Sequence, residues 1–247
     1  MSLKREGKLT SSTDHSRDTQ AAGPPRTSNW LAFVSFAAII AAQAYAILTS
    51  PADADMGHLQ KIMYVHVPAA WITFLSFFVV LVFSVKYLWQ RRENDDLIAA
   101  SAAEVGATFN GLTLILGMIW GRPAWGVWWV WDARLTSTLV LFLIFVGYLA
   151  LRAFTEDPQQ KARWSAAVGA IGALNVPIVY MSVKWWRTLH QPQSSPATLD
   201  PRYTMGLRLN AIAMLLVMIY FIRRRYEIAR LERAVEHMAE AAAMGAR

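Results

Sequence analysis

Two histidines and a run of tryptophans are the groups in this 247-residue sequence with chemistry to offer. His66 stands in "KIMYVHVPAAW" and His190 in "VKWWRTLHQP", with Trp71 close to the first and Trp185 and Trp186 close to the second. Between them in the chain runs "WGRPAWGVWWVWD", Trp120 to Asp132, with five tryptophans in thirteen residues. Arg122, Arg134, Lys184 and Arg187 flank these aromatic stretches.

A neutral imidazole is a metal ligand, and two that converge can take both axial positions of a heme iron. Indoles make rigid, flat, apolar walls with an N–H donor at the edge, a surface suited to a porphyrin disc. Arginine pairs with a carboxylate through two parallel hydrogen bonds, as a porphyrin propionate requires. If Trp125 to Asp132 is helical, Trp125, Trp128, Trp129 and Asp132 fall at i, i+3, i+4 and i+7 and share one face. The "GRP" at Gly121 to Pro123 is expected to end the preceding helix, since proline disfavours helix in the residue before it. On these residues alone a second reading stands beside the first: an aromatic belt at headgroup depth, with cations reaching lipid phosphates. Zinc is poorly served by His58, His66, His190 and a few aspartates, because structural sites take about four ligands. No Ser-His-Asp, HExxH or phosphate-loop spacing occurs, so hydrolytic chemistry has no support.

Composition says what must hold these groups in place. The chain is 55% hydrophobic and 17% charged, below the roughly 25% charge of soluble domains. It has no cysteine, so disulfides, thiolate metal sites and covalent c-type heme attachment to this chain are excluded. The net charge of +7 is spread over tails and loops without a basic stripe, which argues against nucleic acid. Six continuous apolar runs are predicted to be membrane-spanning helices: Trp30 to Leu48, Ala69 to Leu88, Leu97 to Trp120, Leu135 to Leu151, Trp164 to Met181 and Met205 to Ile222. Each is long enough to cross a hydrocarbon core about 30 Å thick, and only helices or closed barrels satisfy their backbone there.

Seventeen lysines and arginines fall on the two tails and the second and fourth loops, against six on the other three loops. That asymmetry places both termini in the cytoplasm and the tryptophan segment, with both histidine loops, outside. The fold class expected is therefore an all-α integral membrane protein of six helices. A polar tail (1–29) is expected to be disordered, and a helical tail (223–247) to continue into the cytoplasm. The polar residues within the spans that a transport path would use, Glu104, Asn110, Asn175 and Arg208, are few; Glu104 and Arg208 lie near span ends, and ordinary interhelical bonding explains Asn110 and Asn175 about as well.

With "WGRPAWGVWWVWDARLT" the sequence resembles the heme-handling family named for its WWD segment. "KIMYVHVPAAW" and "NVPIVYMSVKWWRTLHQ" narrow the resemblance to the cytochrome c maturation protein C family (CcmC, heme exporter protein C). The resemblance covers all six spans. It implies a bacterial inner-membrane protein that holds b-type heme at its periplasmic face and passes it to the heme chaperone CcmE. It also implies association with the transporter subunits CcmA and CcmB and the small subunit CcmD. By resemblance, His66 and His190 are the axial ligands. Trp120, Trp125, Trp128, Trp129, Trp131, Asp132 and Arg134 belong to the WWD segment. Arg122, Lys61, Trp185 and Trp186 complete the expected heme-binding set; Lys61 stands where arginine is common, and Pro192 where glycine is usual. Two further readings remain: a transporter that moves its ligand through the bundle, and an electron-transfer cytochrome, which usually carries its histidines deep in the spans.

Overall fold

The computed structural model describes residues 29–191 and 199–245. The expected N-terminal tail and Pro192 lie outside that range. The described chain is helical: α1 (Trp30–Thr49), a 3-10 turn (His58–Ile62), α2 (Met63–Gln90), α3 (Glu93–Trp125), α4 (Ala133–Phe154), α5 (Pro158–Gly172), α6 (Asn175–Trp185) and α7 (Pro201–Gly245). Six helical segments are long and apolar enough to cross a membrane, with α5 and α6 forming one of them. Phe33, Leu48, Phe78 and Leu143 point outward, as lipid in place of water permits.

The pair α2–α3 is the spine. Arg91 turns the chain in the left-handed region, φ 55°, and α3 starts two residues later. The facing side of α3 is small: Ala99, Ala102, Ala103, Gly106 and Ala107 are buried. A Cβ on Gly106 would meet the Phe77 ring at 2.8 Å, so glycine is what lets the two backbones approach. Phe77 in turn stacks on Phe145 of α4, ring centres 3.4 Å apart, in a core completed by Val80, Leu141, Tyr148 and Val179. The end of the bundle remote from His66 and His190 is tied by charge. Arg152 grips Asp96 through two hydrogen bonds of 2.6 and 2.9 Å, Lys86 meets Asp95 at 2.9 Å, and Arg225 pairs with Glu104. Arg208 is exposed.

Three local expectations need correction. First, α2 begins at Met63 rather than Ala69, so His66 lies in the first turn of the helix. Pro68 is tolerated because the carbonyl it cannot serve, that of Tyr64, accepts a hydrogen bond from Gln43 Nε2 at 3.5 Å. Second, Pro123 does not end α3, which continues to Trp125. The stop is Gly126, whose φ of 77° is open to glycine and costly for residues with a Cβ. Third, the segment after Gly126 is not helical, so Trp125, Trp128, Trp129 and Asp132 do not form one helical face. Asp132 is instead the N-cap of α4 and accepts the Leu135 N–H at 2.8 Å. The fifth span is also interrupted, at Ala173 and Leu174, the two residues that separate α5 from α6.

Candidate heme site at one end of the bundle

A cleft of about 930 Å³, counted to its open mouth, lies between α2, α3, α4 and α6 at the end that carries His66 and His190. His66, Trp120, Trp125, Trp129, Arg134 and His190 all line it. Its floor is Asn110, ten residues along α3 from Trp120, or about 15 Å of helical rise.

The two imidazoles face one another across this cleft, ring centres 6.4 Å apart and planes inclined by 36°. Two ring nitrogens on opposite sides of one metal, each about 2.0–2.1 Å from it and roughly 1.1 Å from its own ring centre, would set the centres about 6.2–6.4 Å apart. The observed spacing is one at which both rings could reach a single metal ion placed between them. The chemical state fits as well. His190 Nδ1 lies 2.7 Å from the Gln191 carbonyl, which can only accept, so Nδ1 carries the proton and Nε2 keeps its lone pair. Burial, with the Arg134 cation as the second cause, pushes the His190 imidazole below its ordinary pKa and keeps it neutral. His66 rests against α3 at Gly117, where a Cβ would come within 3.1 Å of its ring, and edge-on to Trp120 at 5.6 Å.

Unpaired polar atoms gather in the cleft. Among the described residues, eleven buried side-chain nitrogens and oxygens have no hydrogen-bond partner. Five of them belong to cleft residues: His66 Nδ1, Trp120 Nε1, Trp129 Nε1 and both amide atoms of Asn110. Since buried polar groups are nearly always paired, this concentration marks a site for a ligand that is mostly apolar but carries a few polar atoms.

The other expected site residues separate into two groups. Arg134 lines the cleft with its Nη1 donating to the Val179 carbonyl at 2.6 Å, which pins α4 to α6. Asp132 reaches the loop after α6, accepting from Thr188 Oγ1 and from the Leu189 N–H at 3.1 Å. By contrast, Trp128, Trp131, Trp185 and Trp186 are exposed, and none of them lines the cleft. Lys61 donates to the Ile47 carbonyl at 2.6 Å, capping α1, and Arg122 turns back on the Gly126 carbonyl. Neither contributes to the cleft wall. His58 sits in the 3-10 turn, and no cluster of three or more metal-ligating side chains exists among the described residues. Asn175, expected to bond between helices, donates to the Ser137 carbonyl at 2.9 Å. Sequence reasoning missed Asn110 as the cleft floor, Gly117 as the seat of His66, and Thr188. The Thr188 signal was present in its place two residues before His190.

The sequence profile of the heme exporter protein C family, CcmC, matches residues 14–240. The chain belongs to the heme exporter protein C family. A heme exporter protein C of Bradyrhizobium diazoefficiens is 40% identical over 211 residues, covering 83% of this chain and 80% of that protein. The heme exporter protein C of Escherichia coli K12 is 36% identical over 207 residues, 80% of this chain and 84% of that one. A cytochrome c biosynthesis ccmC-like mitochondrial protein of Marchantia polymorpha is 43% identical over 148 residues, 60% and 62% of the two chains. Membership in the CcmC family implies a role in handling heme for cytochrome c biogenesis.

Proposed function

We propose that this CcmC-family chain binds b-type heme between His66 and His190 at the periplasmic face of the inner membrane and presents it to the chaperone CcmE. The observation that carries the reading is the 6.4 Å separation of two imidazole rings across an aromatic cleft. Heme is the cargo, and its bond to the chaperone is the cofactor's own chemistry. The chain's part is binding and orientation. His66 and His190 hold the iron, while Trp120, Trp125 and Trp129 wall the macrocycle and offer indole N–H donors. Arg134 supplies positive charge to the propionates. The exposed Trp128 and Trp131 are left for the docking surface of the chaperone, as are Trp185 and Trp186. The lysine and arginine asymmetry of the loops supports the orientation, with both termini in the cytoplasm. CcmA, CcmB and CcmD are the partners this reading expects, and the chain itself is not an enzyme.

Passage of heme through the bundle is less well supported. Below Asn110 the helices close on the apolar core of Phe77, Val80, Leu141, Phe145 and Tyr148. The test is the optical spectrum and heme content of the protein purified in detergent. The wild-type chain is expected to show a six-coordinate, low-spin bis-histidine spectrum, and His66→Ala and His190→Ala to lose it. An unchanged spectrum in both variants refutes the ligand assignment.

A further inference from the structure

His190 lies in the loop after α6, not on a helix. α6 ends at Trp185, and Trp186 and Leu189 are exposed. What fixes the loop is the hydroxyl of Thr188. It donates to Oδ2 of Asp132 and accepts the backbone N–H of His190 at 3.0 Å. The assignment of roles is forced: a carboxylate only accepts, a backbone N–H only donates, and a hydroxyl does both. The same Oδ2 takes the Leu189 N–H at 3.1 Å, while Oδ1 caps α4 by accepting the Leu135 N–H at 2.8 Å. One carboxylate thus joins the start of α4 to the two residues directly before His190.

We propose that Thr188 is a positioning residue for heme binding, transmitting the fixed geometry of the Asp132 cap to the His190 imidazole. This rests on the reading that His190 is a heme ligand. The ring's own hydrogen bond to Gln191 sets its tautomer, and the Thr188 bridge sets where its backbone stands. Outer-shell partners of metal-bound histidines typically change metal affinity by about 10–100-fold when removed.

The experiment compares Thr188→Val, which keeps the shape and loses the hydroxyl, with Thr188→Ser, which keeps the hydroxyl. Both are made in the full chain and purified in detergent with heme. Heme content, optical spectrum and rate of heme transfer to excess apomyoglobin are measured, with and without added imidazole. Thr188→Ser is expected to match wild type. Thr188→Val should lose heme at least about tenfold faster and gain high-spin character, with added imidazole restoring the low-spin spectrum, the same rescue expected for His190→Ala. Equal spectra and rates for the two Thr188 variants overturn the positioning role while leaving the ligand assignment standing. A His190→Ala variant that keeps the wild-type spectrum removes the ligand assignment and this proposal together. If Thr188→Val does not accumulate as folded protein, Asp132→Asn decides on the same readouts. It preserves an acceptor for the α4 cap and abolishes the one used by Thr188 and Leu189.

Discussion

Gly117→Ala separates the stability of the fold from the quality of the heme site. In α3 this glycine faces the His66 ring, and an added Cβ would stand 3.1 Å from Cε1, where ordinary contact begins at 3.4 Å. Something must give by about 0.3 Å, and the atom in the way belongs to a proposed ligand. Alanine is better than glycine inside a helix by about 0.8–1.0 kcal/mol, so the fold itself gains or stays level. The site does not, because a displacement of about 1 Å can cost roughly a hundredfold in a positioned group and 0.3 Å a corresponding few-fold. The expected result is a thermal midpoint equal to or above wild type, together with heme loss to apomyoglobin about three- to tenfold faster. Midpoints come from circular dichroism in detergent and rates from the heme absorption band. A variant that loses heme at the wild-type rate refutes the idea that Gly117 seats His66. One whose midpoint falls as its heme is lost shows that the packing of α2 on α3, not the ring, took the strain.

Two further outcomes follow from burial. Trp129→Phe keeps the cleft wall but deletes an unpaired buried N–H, and heme affinity should drop by about 1 kcal/mol, roughly fivefold. Trp128→Ala, at a side chain 57% exposed, should leave heme affinity within about twofold, and equal effects at the two positions would contradict the cleft geometry. At the opposite end, Asp96→Ala strands the Arg152 guanidinium, whose side chain is only 15% exposed. Unfolding in detergent should register about 3–5 kcal/mol of lost stability, and a loss under about 1 kcal/mol would mean that water already reaches the pair.

The spans and the motif residues were legible because apolar length and residue type are local properties. The ends of elements were not. Pro123 reads as a stop, yet the chain goes on to Trp125 because the left-handed turn belongs to Gly126. Helical spacing put Trp128 on the same face as Trp125 and Trp129, whereas α3 stops at Gly126 and α4 starts only at the Asp132 cap, so the segment between is not helical and Trp128 lies outside. Lys61 has the right charge for a propionate, but it is spent on a carbonyl of α1, a contact fourteen residues away in sequence that no local pattern records. Asn110 looked like ordinary interhelical glue. It is instead the unpaired floor of the cleft, a fact that only the packing of four helices reveals.

The interruption at Ala173 and Leu174 has a mechanical consequence. His66 rides on α2, which packs most extensively against α3. The segment leading to His190 rides on α6, bolted to α4 by Arg134 and Asn175. The gap between the two rings is accordingly the spacing between two stiff levers, with a joint in the backbone of one of them. Were both rings to hold one iron, the width of that grip would be set by how α4 and α6 sit against α2 and α3, since a tilt of the one pair on the other changes the distance between the rings without altering a helical turn.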